Sequence, residues 1–208
     1  DAWLDRISAG DAELRTLLCE KKFLFGGRIL ANRGLEREGR KITLSNCYVV
    51  TPPKDNLEDI FECAKKLART YSYGGGCGID VSGLSPRGAH INNAAKETSG
   101  AVTFMELYAT TTSLIGQNGR RGALMISIDS HHPDVEDFIR LKTDLEKVTK
   151  ATLSVRIHDD FMEAVKAGAP YHHSYTREAT GQTVERDVDA RTLFHLIAET
   201  NWDFAEPG

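Results

Sequence analysis

GGGCGIDVSGL, at residues 74–84, is the segment from which the architecture is easiest to read. Successive glycines carry no Cβ, so the backbone here can approach a phosphate or a neighbouring strand closely. The segment is no Walker loop, because no Gly-Lys-Ser/Thr follows it, and it completes no dinucleotide fingerprint. The pattern alone favours tight backbone packing over phosphate binding and predicts a short strand at 79–82.

Helix and strand patterns alternate on both sides of this segment. The clearest is a helix at 56–72, which has Asn56 as N-cap and one apolar stripe. Strand, helix, strand order predicts a parallel sheet with helices packed outside it, and ligands near the carboxyl ends of the strands. The other predicted elements are helices at 11–22, 101–115, 160–167 and 189–200, a helix with Pro133 at its first position, strands at 43–50, 123–128 and 153–157, and a hairpin at 171–186.

Composition narrows the class of protein. The chain has 208 residues, 40% of them hydrophobic, which is enough for one or two domains with a real core. A net charge of −4 argues against bulk binding to nucleic acid or acidic membranes. No apolar run approaches the ~20 residues that a membrane span needs, and no signal segment opens the chain. We expect a cytoplasmic protein.

The cysteines are scattered through the first half of the chain. Without a CxxC pair, a disulfide framework or a structural zinc site is disfavoured. Cys47 lies in the apolar segment TLSNCYVV, where a thiol is either inert packing or a redox centre, and the pattern alone favours packing. The four cysteines are Cys19, Cys47, Cys63 and Cys77.

Two further segments have open interpretations. The loop GQNGRRG at 116–122 offers the amide of Gln117 and the cations of Arg120 and Arg121, which suit a base edge and phosphates. Its alternative, a solvated basic turn, is favoured without further context. Two histidine pairs, 131–132 and 172–173, are expected in surface or capping roles, and no metal site is predicted.

Taken together, several motifs in order resemble the catalytic subunit of ribonucleotide reductases. The likeness covers nearly the whole chain, with 169–186 the least distinctive part, and is closer to the cobalamin-dependent class than to the diiron class. The motifs are SNCYV (45–49), GGGCGIDVSGL (74–84), PRGA (86–89), SGAVTFMELY (99–108), GQNGRRGALM (116–125) and HPDVEDFI (132–139), with GRILANRG (27–34) and NWDFAEPG (201–208).

The resemblance implies an α/β fold. Residues 43–208 would form the first parallel half of the family's ten-stranded α/β barrel and supply four of its strands. Residues 1–42 would be a helical segment leading into the barrel. The chain starts without Met and closes on Pro207-Gly208 after a helix, so we expect a fragment that stops before the loop carrying the radical cysteine. Such a fragment is expected to be inactive alone.

The resemblance also assigns roles near the substrate. Cys47 matches the reducing cysteine of the first barrel strand, whose thiol would later pair with a cysteine far downstream. Ser45 and Asn46 would lie against the substrate ribose or its phosphates. These roles imply reduction of ribonucleotides by thiyl-radical chemistry.

The effector side is implied in the same way. Asp55 would meet the sugar of a deoxynucleotide effector, and 87–98, which begins at Arg87, would be the first specificity loop. The second would be 116–121, where Gln117 and Arg121 connect effector base to substrate base and Arg120 adds a cation. Relatives commonly have Arg where this chain has Ser85, which weakens the case for effector binding here.

Cofactor and partners follow from the family as well. The complete enzyme would use adenosylcobalamin, a dNTP or ATP effector, and a thioredoxin- or glutaredoxin-type reductant. Open sheet edges favour a homodimer. The alternatives are a dNTP-binding half-barrel without catalysis, a class I large subunit, a different glycyl- or thiyl-radical barrel enzyme, or an unrelated Gly-rich nucleotide binder.

Overall fold

The structure is a computed structural model that describes residues 2–92, 94–115, 122–143, 148 and 150–208. Its helices are α1 Ala2–Ser8, α2 Ala12–Cys19, α3 Gly27–Asn32, α4 Leu57–Ser72, α5 Ala101–Leu114, α6 Val135–Arg140, α7 Asp159–Ala167 and α8 Ala190–Phe204, with 3-10 turns at Leu35–Glu38 and Leu141–Thr143. Its strands are β1 Cys47–Val49, β2 Gly76–Asp80, β3 Leu124–Asp129, β4 Thr152–Arg156, β5 Pro170–Thr176 and β6 Thr183–Asp189.

The first four strands form one parallel sheet in the order β1-β2-β3-β4. A helix follows each of β1, β2 and β3 and leads into the next strand, α4, α5 and α6 in turn. This confirms the predicted α/β architecture with a parallel sheet. The predicted hairpin is also confirmed, since β5 and β6 pair antiparallel from Pro170↔Asp189 to Thr176↔Thr183.

Helix α4 forms where its sequence predicts it. The Asn56 side chain accepts a hydrogen bond from the Asp59 backbone N–H at 2.8 Å, which caps the first turn. The apolar stripe of the helix is buried against the sheet and α5, and consists of Ile60, Cys63, Ala64, Leu67 and Tyr71. Helix α6 begins later than predicted, because Asp134 occupies the cap position and Pro133 lies outside the helix.

Strand β2 begins at Gly76, inside the glycine run, which corrects the prediction of a strand at 79–82. A Cβ on Gly75 would lie 2.7 Å from the Tyr48 ring, and one on Gly76 would lie 3.3 Å from the Ala123 Cβ. The Asn46 and Ala123 carbonyl oxygens would each lie 3.4 Å from a Cβ on Gly76, so glycine suits the start of β2. Strand β1 is shorter than predicted, since the Thr43 N–H and C=O bond to Tyr73 and Asn32 instead of the sheet.

The two faces of the sheet differ. Helices cover one face, where the side chains of Ile79, Ile126, Ile128, Leu153 and Val155 are buried. The opposite face carries Val49 and Met125, which are 92% and 51% exposed. Parallel sheets are normally covered on both sides, so this face suits a second layer of structure, as a barrel would provide.

Among the described residues, no helix is both long and apolar enough to cross a membrane.

Candidate active site

Cys47 lies on the uncovered face of the sheet, at the start of β1. It pairs with Gly76, and side chains on neighbouring parallel strands at one register point to the same side. Its thiol is free and exposed, and it lines a cavity of about 670 Å³. The cavity walls include Val49, Gly78, Met125, Lys142, Lys150, Thr152 and Glu206.

The other thiols of the sheet region are held in the interior. Burial raises the pKa of Cys63 to about 11 and also raises the pKa of Cys77. A thiol attacks or transfers an electron most readily when it is accessible and ionisable, so these two are poor redox groups. Cys19 is exposed, but it lies at the end of α2 and not on a strand of the sheet. Position and accessibility therefore single out Cys47.

Ser45 and Asn46 lie directly before β1 at the same end of the sheet as Cys47, and both are exposed. The Asn46 carbonyl accepts a hydrogen bond from the Gly76 N–H at 2.7 Å, and the Ser45 N–H donates to Thr43 Oγ1 at 3.1 Å. These backbone contacts fix the segment, and the two residues remain candidates for substrate contact.

The Asp55 carboxylate is held by two residues that are distant from it in sequence, Ser85 and Arg177. Its carboxylate accepts hydrogen bonds from Ser85, from the N–H at 2.9 Å and from Oγ at 2.6 Å. The Arg177 Nε, on the segment between β5 and β6, donates to the same carboxylate at 2.7 Å. Burial alone would raise the pKa of Asp55, but the hydrogen bonds from Ser85 and Arg177 outweigh burial and lower it.

The first predicted specificity loop is closed at its base by Asp134. The carboxylate of Asp134 accepts hydrogen bonds from the N–H groups of Arg87, at 3.1 Å, and Ala101, at 3.2 Å. The Arg87 guanidinium itself is exposed and lies 3.5 Å from Asp137. The exposed Arg87 side chain is accessible to a ligand, whereas Ser85 is buried. Gln117, Arg120 and Arg121 lie outside the described residues.

The histidines do not all take the surface or capping roles predicted for them. His132 and His173 are buried, and His132 Nε2 lies 2.8 Å from the Leu84 carbonyl. His131 instead lies beside Asp129 and His158 at the carboxyl ends of β3 and β4. The prediction considered only sequence neighbours as metal ligands. The sequence did offer a signal for this group: the pattern Asp-x-His ends one strand and a histidine follows the next. The carboxyl ends of adjacent parallel strands lie together.

A family model described as the ribonucleotide reductase barrel domain matches residues 45–208. The chain belongs to the ribonucleotide reductase family. The matched part begins two residues before Cys47 and includes the whole four-stranded sheet. The expected fold is thereby confirmed as part of the ribonucleotide reductase barrel.

Several curated ribonucleotide reductases are similar to this chain. A vitamin B12-dependent ribonucleoside-diphosphate reductase of Thermoplasma acidophilum is 35% identical over 79% of the chain. An enzyme of the same name from Mycobacterium tuberculosis is 32% identical over 93%, and a vitamin B12-dependent ribonucleotide reductase of Streptomyces avermitilis is 28% identical over 94%. The chain spans only 21%, 27% and 22% of the length of these relatives.

Proposed function

We propose that the chain is part of a vitamin B12-dependent ribonucleotide reductase, in which Cys47 is a reducing thiol. The observation that carries this proposal is the position of Cys47. It is an accessible free thiol on the uncovered face of a ribonucleotide reductase barrel sheet, at the wall of a cavity. A cavity of about 670 Å³ is within the range of roughly 300–1,000 Å³ that small-molecule sites occupy.

The proposed reaction balances with two thiols. Cys47 and a second thiol become one disulfide and give up two electrons and two protons. The ribose 2′ hydroxyl is replaced by hydrogen, and its oxygen leaves as water. Ser45 and Asn46, next to Cys47, are placed to orient the ribose or its phosphates. A thioredoxin- or glutaredoxin-type protein would then reduce the disulfide.

The cavity beside Cys47 fits a nucleotide but not a whole cobalamin. Its apolar wall, formed by Val49, Met125 and the glycine backbone of β2, can pack against a flat ring. A corrin ring with its nucleotide tail exceeds this volume, so the described residues would contact the cofactor only in part. Adenosylcobalamin supplies the initiating radical in the proposed enzyme, and the roles assigned to this chain are thiol reduction and substrate orientation.

Effector binding is a second part of the proposal. The loop that starts at Arg87 is held at its base by Asp134 and touched by the β5–β6 hairpin, through Arg177 and the carbonyl of His90. A loop held at its base, with an exposed guanidinium at its start, suits the phosphates of a dNTP. If effector binding occurs without reduction, the chain serves as a nucleotide-binding half-barrel, the alternative function. A homodimer is proposed as the working form.

The test is steady-state reduction of ribonucleoside di- and triphosphates by the full-length enzyme with adenosylcobalamin and a dithiol. The Cys47→Ser variant should lose multiple turnover while still forming the radical. Cys19→Ser is the matched control, since its thiol is exposed but lies on helix α2 and not on the sheet, and this variant should keep activity within a few-fold. Unchanged turnover in Cys47→Ser would contradict the proposal. The 208-residue chain alone should form no deoxynucleotide.

A further inference from the structure

A cluster of polar side chains lies at the carboxyl edge of the sheet, apart from Cys47. Asp129 is the last residue of β3, and His131 follows it by two positions. His158 follows the end of β4 by two positions. Because β3 and β4 are adjacent and parallel, their carboxyl ends bring these three residues together.

The donor atoms of the cluster are close enough to share one ion. His131 Nδ1 lies 3.0 Å from Asp129 Oδ1, and His158 Nε2 lies 2.8 Å from Asp129 Oδ2. One ligand atom from each residue falls within 4.8 Å of the other two. Ligands about 2.0–2.2 Å from a tetrahedral zinc ion are roughly 3.4 Å apart, so small side-chain rotations would admit the ion. The side chains are 16%, 37% and 41% exposed, which leaves the cluster open to solvent.

The His131 ring is held in place by a hydrogen bond to Asp160 and by packing against two neighbouring rings, as is common for a metal-binding histidine. Its Nε2 lies 2.8 Å from Asp160 Oδ2 and its Nδ1 lies 3.0 Å from Asp129 Oδ1, so each ring nitrogen can donate to a carboxylate. When an ion takes the place of the Nδ1 proton, the Nε2–H remains bonded to Asp160. Metal-binding histidines commonly donate their other ring N–H to a carboxylate in this way. The His131 ring also packs between the rings of His158 and Tyr171, each with its centroid 5.0 Å away.

The charge around the cluster favours a cation. Arg156 opposes it, since its guanidinium binds Asp129 Oδ2 at 2.6 Å. Its Nη1 also lies 3.8 Å from Asp80 Oδ2, so a second carboxylate is available when an ion takes Asp129. Within the described part of this edge, three carboxylates, those of Asp80, Asp129 and Asp160, face one guanidinium.

We propose that Asp129, His131 and His158 bind a divalent transition-metal ion of the zinc class. The ligands would be one Asp129 oxygen, His131 Nδ1 and His158 Nε2. Two imidazoles and one carboxylate are a donor set that zinc and similar ions accept, and three protein ligands leave a position for water or another ligand. The proposal is independent of ribonucleotide reduction, because it rests on this edge of the sheet and not on the cavity at Cys47.

The test is a titration of the full-length, chelator-stripped protein with Zn²⁺ against a chromophoric competitor, and with Co²⁺ followed by visible absorption. Wild type should bind one equivalent more than His131→Gln, His158→Gln or Asp129→Asn, with Co²⁺ bands typical of nitrogen ligands. Asp160→Asn, which leaves all three ligands in place, should weaken binding by about 10–100-fold. The readout is binding, so loss of reductase activity would not affect it.

His172→Gln is the matched control. His172 is an exposed histidine on the β5–β6 hairpin, with carboxylates at 2.9 and 3.7 Å. Among the described residues, it belongs to no group of three candidate metal ligands. This variant should bind the metal as wild type does. Equal stoichiometry and affinity in wild type and the His131 and His158 variants would overturn the proposal, as would absence of binding in wild type. Melting curves show whether each variant is still folded. The Asp160→Asn variant keeps all three ligands, so weaker binding in this variant, with an unchanged melting curve, reports on the site and not on the fold.

Discussion

The guanidinium of Arg177 donates a hydrogen bond to the carboxylate of Asp55 across 122 residues of sequence, at 2.7 Å. Their side chains are only 13% and 21% exposed, so water screens the pair weakly. Arg177 also donates to the His90 carbonyl at 2.8 Å. This contact fastens the β5–β6 hairpin to the loop proposed to bind the effector.

Arg177→Ala should loosen the hairpin and the loop together. A hydrogen bond to a charged group contributes about 1.5–3 kcal/mol, so loss of the Asp55 bond alone should lower the local opening free energy by about that amount. Hydrogen exchange in the 170–189 and 86–100 segments of the full-length protein measures this. Arg186→Ala is the control on the same hairpin, since its pair with Glu136 is longer, at 3.7 Å, and more exposed. Equal exchange in both variants would contradict the role of Arg177.

The same pair gives a pH dependence with a defined sign. The pKa of Asp55 is lowered from 3.8 in the folded protein, so its contribution to stability is present above that pH. It is lost as the pH falls through the lower, folded value. The difference in exchange between wild type and Asp55→Asn should therefore be full at neutral pH and shrink below about pH 4. A difference that grows on acidification would contradict this assignment.

Asp134→Ala should release the base of the 86–100 loop. Two backbone N–H groups, of Arg87 and Ala101, would lose their acceptor, at about 1–3 kcal/mol for each group left unsatisfied. We expect faster hydrogen exchange in the loop and weaker dNTP binding in equilibrium dialysis. Asp137→Ala, which removes only the exposed contact to the Arg87 side chain, should change exchange little.

The four thiols should alkylate at very different rates in the native protein. Iodoacetamide reacts with the thiolate, and burial raises the pKa of both Cys63 and Cys77. Cys47 and Cys19 are exposed and should be labelled first. Peptide mass spectrometry over time measures the order. Early labelling of Cys77 ahead of Cys47 would mean that the sheet faces are assigned wrongly.

Gln117→Ala and Arg121→Ala should flatten the dependence of substrate choice on the effector. We propose that the 116–121 loop is the second specificity loop and contacts both effector and substrate. Such coupling is about 1–3 kcal/mol, so selectivity should change by about 5–150-fold while basal activity changes less. A four-substrate competition with each deoxynucleotide effector measures this. Effector binding is measured first, because loss of effector binding would also flatten the selectivity. Wild-type selectivity in both variants would leave the loop as a solvated turn.

The parts of the fold that depend on local sequence were predictable. The stripe and cap of α4 and the alternation of strands with helices gave the parallel sheet directly. The start of β2 at Gly76 was not predictable in this way, because glycine is uncommon inside strands unless other backbone approaches closely. Here the Asn46 and Ala123 carbonyl oxygens would lie 3.4 Å from a Cβ on Gly76. That approach is a tertiary fact, which the residues of β2 alone do not encode.

The residues of the candidate site also fall into two groups, those that the sequence indicated and those that only the fold brings together. Cys47 was named through a resemblance of motifs, and its place on the uncovered face follows from strand alternation. Arg177 was missed because its partner lies 122 residues away and the hairpin has no distinctive motif. Asp129, His131 and His158 were missed because they follow two different strands, and only the pairing of β3 with β4 brings them together.

The most direct measurement of the central claim follows Cys47 through one round of reduction. The prereduced full-length enzyme is given substrate and adenosylcobalamin without external reductant, quenched, and its remaining free thiols are labelled and counted by peptide mass spectrometry. The account predicts that labelled Cys47 disappears one-for-one with deoxynucleotide formed, while Cys19 stays labelled. Deoxynucleotide formed with Cys47 still fully labelled would contradict it.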